Sequence, residues 1–199
     1  MTTTFFLVRH AVHDNVESLL AGRMSGIELG AVGRAQAARL ARRMRYEQFG
    51  AIYASPRERS QMTAEAIADV SGISPVRTDE DLDEIDFGDW SGKTFAELED
   101  DPHWRLWNSD RSRASTPTGE TMLHVQQRVT GCMARLRPSH QEGAVVLVSH
   151  ADVIKAAVCA ILALPPDAGA KFDVSPASVT TVVSGEWGAR VISLNEVVH

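Results

Sequence analysis

The chain has 199 residues, 44% of them hydrophobic and 23% charged, with a formal net charge of −6. That length suits one domain with a sizeable core, spanning 1–199, rather than two. The acidic balance argues against nucleic acid and anionic membrane as partners, since both need a basic surface. It leaves room for a small anionic ligand held by a few focused arginines. Cys132 and Cys159 show no metal-like or redox spacing, so buried free thiols in a reducing compartment are expected. The opening Met-Thr-Thr-Thr lacks the basic region of a signal peptide, and no apolar run approaches the ~18 residues of a membrane span. These features predict a cytoplasmic protein, either a monomer or a homodimer.

Phe5-Phe6-Leu7-Val8 reads as a strand buried on both faces, and it stops at Arg9-His10. A parallel strand ending this way delivers both side chains to the C-terminal edge of a sheet, where open α/β folds bind ligands. A cationic strand end facing solvent would account for the same six residues. A polar loop with a short helical piece over 15–20 follows, then turn-rich sequence around Gly22-Arg23. Ala37, Leu40, Ala41 and Met44 recur at helical spacing and predict an amphipathic helix over 32–46. Arg39, Arg42, Arg43 and Arg45 would form its solvated face.

Residues 51–55 read as a second short strand, with Pro56 where the next helix can begin. That helix is predicted over 57–70, with Thr63, Ala66, Ile67 and Val70 inward and Ser71-Gly72 as the stop signal. Arg59 lies one turn before Thr63 on the same face, so it points back at the sheet. An inward arginine needs an anion or a carboxylate to meet it. The stretch 79–89 is acidic but carries Leu82, Ile85, Phe87 and Trp90, which should pin it to the body. Thr94-Phe95-Ala96-Glu97 is a capping box. Residues 101–118, with Arg105, Arg111 and Arg113, show no clear period and read as a surface excursion long enough to be functional.

Met122, Val125, Val129, Met133 and Leu136 mark a long helix over 120–137. Ala144-Val145-Val146-Leu147-Val148-Ser149-His150 is a second buried strand, and it too ends in histidine. Asp152 opens another helix, with Val153, Ile154, Ala157, Val158, Ile161 and Leu162 inward and Pro165-Pro166 as its stop. Alternating runs over 178–184 and 189–194 predict a hairpin closing one side of the sheet. The order of elements gives a three-layer α/β/α sandwich with a mostly parallel mixed sheet.

If the strands are parallel neighbours, Arg9, His10, Arg59 and His150 converge at one sheet edge, beside the backbone N–H groups of the helix after His150. Two guanidiniums, an imidazole donor and a helix terminus suit a phosphoryl dianion. His10 is then free to attack phosphorus, and the acidic 79–89 segment supplies candidates for the proton donor.

These blocks resemble the histidine phosphatase superfamily, which includes cofactor-dependent phosphoglycerate mutases and many small phosphatases. Arg9-His10-Ala11 is similar to the family's Arg-His-Gly opening. Ser55-Pro56-Arg57-Glu58-Arg59-Ser60-Gln61-Met62-Thr63-Ala64 matches its Ser-Pro-x-x-Arg-x-x-x-Thr-Ala block, and Val148-Ser149-His150 matches its second histidine block. Leu82-Asp83-Glu84-Ile85-Asp86-Phe87-Gly88-Asp89-Trp90 fits the pattern that carries the family's acid. Gly119-Glu120-Thr121, Gly22-Arg23 and 33–37 resemble intervening segments.

The resemblance implies a phosphoglycerate mutase-like fold over nearly the whole chain. It implies Glu84 as proton donor, a choice the acidic segment alone leaves open. Arg9, Arg59 and His150 would clamp the phosphoryl group, His150 as an imidazolium, with Ala151 and Arg23 as further phosphate contacts. His10 would be the nucleophile. No metal or cofactor is implied, and the partner would be a small phosphorylated metabolite. Glu84 beside anionic phosphate should have a raised pKa. Ala11 stands where the family has glycine, so its Cβ could crowd the loop beside His10; Ala151 also replaces a usual glycine but keeps its backbone N–H for the anion. Val12 and His13 replace a frequent Glu and Thr, and His13 reads as an exposed loop histidine or a supporting base.

The reading is a metal-independent phosphomonoester hydrolase working through phosphohistidine. The alternative within the same chemistry is a phosphoglycerate mutase, with an arginine of the excursion holding a substrate carboxylate. A non-catalytic phosphate-binding module is opposed by the intact His10 and Glu84. A zinc hydrolase using His10, His13, His150 and Asp152 is opposed by poor ligand spacing.

Overall fold

Alternate residues of the first strand bury on opposite faces: Phe5 and Leu7 join one core cluster, Phe6 and Val8 the other. A strand apolar on both sides needs cover on both sides, which dictates three layers. The computed structural model describes residues 1–15 and 18–198. β1 (Thr2–Arg9) pairs in parallel with the later strand Gly143–Ser149, placing Arg9 opposite Ser149.

In chain order, α1 (Ala31–Met44), β2 (Ala51–Ala54) and α2 (Glu58–Ser71) follow β1. A two-residue strand β3 (Arg77–Thr78), absent from the pattern reading, pairs with β2. It is too short to show any alternation. Next come the short helix α3 (Phe95–Leu98), then α4 (Pro102–Ser109), α5 (Met122–Leu136), β4 (Gly143–Ser149), α6 (Ala151–Ile161) and the hairpin β5 (Val179–Gly185) and β6 (Gly188–Glu196). The sheet order is β3-β2-β4-β1-β5-β6, parallel from β3 to β1 and antiparallel at the hairpin. This is the mixed, mostly parallel sheet that the order of elements predicts. Side chains of α1 and α2 bury against one face, those of α5 and α6 against the other.

The bounds of α1, α2 and α5 fall within two residues of expectation, whereas α6 ends at Ile161, ahead of the Pro165-Pro166 stop. Gly72, at φ +72°, closes α2 in the left-handed conformation. Thr121 caps α5 by accepting from the His124 N–H. Two inward assignments fail. Val70 is 44% exposed and Leu162 is 49% exposed. The buried stripe of α2 runs instead through Thr63, Ala64, Ile67 and Ala68, whose small alanines allow close approach of the Ala37 and Ala41 side of α1. Leu162 lies just past the last turn of α6, where the face no longer meets the sheet.

The excursion is more ordered than its composition suggests. Asp101 caps α4, Pro102 fills its first turn, and Trp107 is fully buried beside Phe87 and Trp90. The Trp90 indole donates to Asp101 Oδ2 at 2.8 Å, tying the acidic segment to the excursion. Gly88, at φ +53°, lies where a Cβ would stand 1.7 Å from the Pro117 carbonyl oxygen, so only glycine lets these segments meet. The helical piece expected over 15–20 includes residues 16–17, which lie outside the described residues. Among the described residues no helix is long and apolar enough to cross a membrane. Cys132 and Cys159 are buried, unpaired thiols.

Candidate active site

The register of β1 and β4 builds the centre. His10 and His150 each follow the last residue of a strand, and the His10 N–H donates to the Ser149 carbonyl at 2.9 Å. Neighbouring strands sit roughly 4.8 Å apart, and the two imidazole centroids are 5.0 Å apart at an interplanar angle of 64°. β2 delivers the third element, because α2 starts immediately beyond it. Arg59 in the first turn of α2 is 1% exposed. It reaches between the histidines: Nε donates to His10 Nε2 at 3.3 Å and Nη2 to His150 Nδ1 at 3.2 Å. Nη2 also donates to the Gly22 carbonyl at 2.8 Å. Arg57 faces elsewhere, donating to the Arg23 carbonyl and pairing with Asp83.

Hydrogen bonding fixes both rings. His10 Nδ1 lies 2.7 Å from the Ala11 carbonyl oxygen. That carbonyl only accepts, so Nδ1 carries the proton and Nε2 keeps the lone pair. Ser55 Oγ donates to Asp83 Oδ1, so His150 Nε2–H donates to Ser55 Oγ at 2.8 Å and Nδ1 accepts from Arg59. Burial, followed by the charge of Arg59, lowers both imidazole pKa values well below the ordinary range. His150 is therefore neutral in the ligand-free molecule, against the expected imidazolium. The Ala11 Cβ is accommodated: the residue is fully buried and its N–H donates to Thr63 Oγ1 at 3.1 Å.

Glu84 approaches from the acidic segment, with Oε2 3.4 Å from His150 Nδ1. Its pKa is raised to about 7, first by burial and then by the nearby negative charge of Asp152. The rise thus exists before any phosphate arrives. Asp152 in turn accepts from Arg111 Nη1 at 2.7 Å, and Arg111 also stacks over the Trp107 ring. Arg111 is the excursion arginine that reaches the site's edge. Arg105 and Arg113 pair with Asp100 and Asp110 nearby in sequence.

These groups surround a cavity of about 170 Å³ lined by Arg9, His10, His13, Arg59, Glu84, Ala151 and Asp152. Leu19, Leu20, Phe87 and Phe95 form its apolar side. An antiparallel bridge between Leu19 and Thr94 joins the two segments carrying that side. Arg9 Nη1 donates to the Val174 carbonyl at 2.6 Å. Arg9 Nε and Arg59 Nη1 are buried without a hydrogen-bond partner among the described residues.

Two placements correct the expectations. Arg23, named above as a phosphate contact, turns away from the cavity. It donates to the Glu84 carbonyl at 2.8 Å and to Glu120 Oε2 at 2.9 Å, so it steadies the backbone of the acid. Its long side chain finds four carboxylate or carbonyl partners around Asp83, Asp86 and Glu120 before it could reach the cavity. His13 is buried rather than exposed, with its ring centroid 5.9 Å from that of His10. Ser55, Asp83 and Thr63 were not singled out for the parts they play. Ser55 and Thr63 lie inside the matched block; Ser55 directly follows β2, and Thr63 lies on the inward stripe of α2.

The chain matches the model of the histidine phosphatase superfamily (branch 1) over residues 5–197. It is 31% identical over 198 residues to phosphoserine phosphatase 1 of Hydrogenobacter thermophilus, covering 97% of this chain and 92% of that protein. Identity to a glucosyl-3-phosphoglycerate phosphatase of Mycobacterium tuberculosis is 34% over 196 residues, covering 91% and 85%. The fold is similar to that of Entamoeba histolytica phosphoserine phosphatase in complex with 3-phosphoglyceric acid, with TM-score 0.87, 28% identity, and 98% and 97% of the two chains covered. With two strand-end histidines around a buried arginine and a match of this extent, the chain belongs to the histidine phosphatase superfamily, branch 1.

Proposed function

We propose that the protein hydrolyses small phosphate monoesters through a phosphohistidine on His10. The observation that carries this reading is the pair of buried guanidinium donors, Arg9 Nε and Arg59 Nη1, without partners among the described residues, on two arginines that line the same cavity as His10. An unsatisfied buried charged donor is costly, and a phosphoryl dianion supplies the missing acceptors. Its arrival also draws the Arg59 N–H away from His10 Nε2, freeing the lone pair. Burial and then the charge of Arg59 keep His150 neutral in the free protein; the dianion's charge counters both, so His150 gains a second N–H with which to hold the anion.

His10 Nε2 then forms the N–P bond as the ester P–O bond breaks in line, and Glu84 passes its proton to the departing alkoxide. Water next attacks phosphorus, giving a proton to Glu84 as the N–P bond breaks and phosphate leaves. Both half-reactions use one carboxyl whose pKa of about 7 suits proton transfer in either direction at neutral pH. No metal is needed, since Arg9 and Arg59 offset the charge on the transferring oxygens. The names of the relatives direct attention to carboxylated esters such as O-phosphoserine and 3-phosphoglycerate.

The test is a panel containing O-phosphoserine, 3-phosphoglycerate, sugar phosphates and p-nitrophenyl phosphate, scored for released phosphate and for isomerised product. Phosphate release is expected. Conversion of 3-phosphoglycerate to its isomer without release would replace hydrolysis by the mutase reaction.

Glu84 gives a pH signature. Its first task needs the proton, so kcat/KM is expected to fall as pH rises through about 7, where Glu84 ionises. Glu84→Gln should remove that alkaline limb and slow alkyl phosphates by about 10²- to 10⁴-fold. The loss on p-nitrophenyl phosphate should be far smaller, because nitrophenolate departs unprotonated. Equal losses on both ester types would rule out the proton-donor role.

A further inference from the structure

His13 is the polar group of the cavity that the chemistry above leaves unused. It sits three residues beyond the nucleophile, on the loop after β1, and is 6% exposed. Its Nδ1 is buried and has no hydrogen-bond partner among the described residues. Leaving such an atom unpaired forfeits its solvation without a replacing bond. A threonine or an apolar side chain would fill the same loop without that cost. The other polar side chains at the cavity are committed. His10 attacks, Glu84 moves the proton, Asp152 is held by Arg111, and Arg9 and Arg59 face the anion.

The position of the ring defines the atom it can meet. His13 flanks His10, with centroids 5.9 Å apart and planes inclined by only 32°. In an in-line displacement the leaving oxygen lies opposite the nucleophile, and the three non-bridging oxygens lie around the attack axis. A ring standing beside the nucleophile therefore reaches a non-bridging oxygen and not the leaving group. We propose that His13 is a further ligand of the substrate, donating a hydrogen bond from a neutral imidazole to a non-bridging phosphoryl oxygen. This rests on the phosphoryl site proposed above. Burial and the charges of Arg59 and Arg9 hold the His13 pKa at about 4, so the ring is neutral at pH 7. A neutral donor adds a contact without adding a third positive charge beside two arginines.

The test compares His13→Phe and His13→Gln with the unaltered protein. Binding of inorganic phosphate and of orthovanadate is measured by calorimetry, and thermal unfolding is followed in parallel. Phenylalanine keeps an aromatic ring and loses the nitrogens, and glutamine restores a donor. The expected result is about ten- to hundredfold weaker vanadate binding for His13→Phe, a melting temperature equal to or above the unaltered protein's, and recovery of most of the loss in His13→Gln. Undiminished vanadate binding by His13→Phe would overturn the proposal, as would equal losses in both variants. A purely structural role would instead lower the melting temperature. These readouts need no turnover. Tight vanadate binding by a protein that never phosphorylates His10 would therefore reject the proposed reaction and leave the His13 contact standing.

Discussion

Replacing His10 with alanine is expected to cut the turnover of every phosphate ester by at least about 10⁴-fold, the scale on which a covalent nucleophile is lost. The reason lies in the geometry. His10 Nε2 is a lone pair oriented by a backbone acceptor at the ring's other nitrogen and touched by the buried Arg59 guanidinium. Rapid-quench experiments with labelled substrate should trap an acid-labile, base-stable phosphoenzyme in the unaltered protein and none in the variant. Residual activity above about one per cent, or labelling that survives the substitution, would place the nucleophile elsewhere.

Arg59→Met should cost about 10³-fold in kcat/KM, the upper range for losing one preorganised donor to a transition-state oxygen. The methionine chain approximates the arginine stem in volume, and removing a buried cation with an unpaired donor relieves a desolvation penalty. The melting temperature is therefore expected to stay within about 3 °C, which corresponds to roughly 1 kcal/mol in a chain of this size. A collapse in stability accompanying the loss of activity would assign Arg59 to scaffolding through its bonds to Gly22 and His150 instead of catalysis. Lysine at this position should recover little, since a point charge cannot bridge two imidazoles and a carbonyl as the guanidinium does.

What sequence reading can and cannot reach here follows from periodicity. His10 and His150 were visible because uninterrupted apolar runs end at them, and parallel strands in register bring such ends together. Arg59 was visible because a helix repeats its faces, and Thr63 one turn on marks the inward side. Glu84 lies between two turns of 3-10 helix, where no repeat distinguishes it from Asp83 or Asp86, so only a family resemblance could select it. For the same reason the sequence leaves His13 between an exposed loop histidine and a supporting base. A loop residue has no facing pattern from which its burial could be read. Helix α4 went unnoticed although Asp101-Pro102 is a sound start signal, because the following residues show too few apolar positions to establish a period. Arg23 shows the limit of carrying a role across by position alone. The side chain is in the expected neighbourhood, but nearer carboxylates take its donors.

One hydrogen bond and one register have a consequence for how such a protein can diversify. The spacing of the two imidazoles is set by adjacent backbone segments locked rung by rung from Thr3–Gly143 to Arg9–Ser149. The apolar side of the cavity comes from Leu19, Leu20, Phe87 and Phe95, outside that ladder. Insertions or replacements in those outer segments can therefore reshape the apolar wall of the cavity while the two imidazoles keep their separation. The spacing of the two rings and the apolar wall of the cavity thus reside in different parts of the chain, so natural selection can retune the wall without moving the rings.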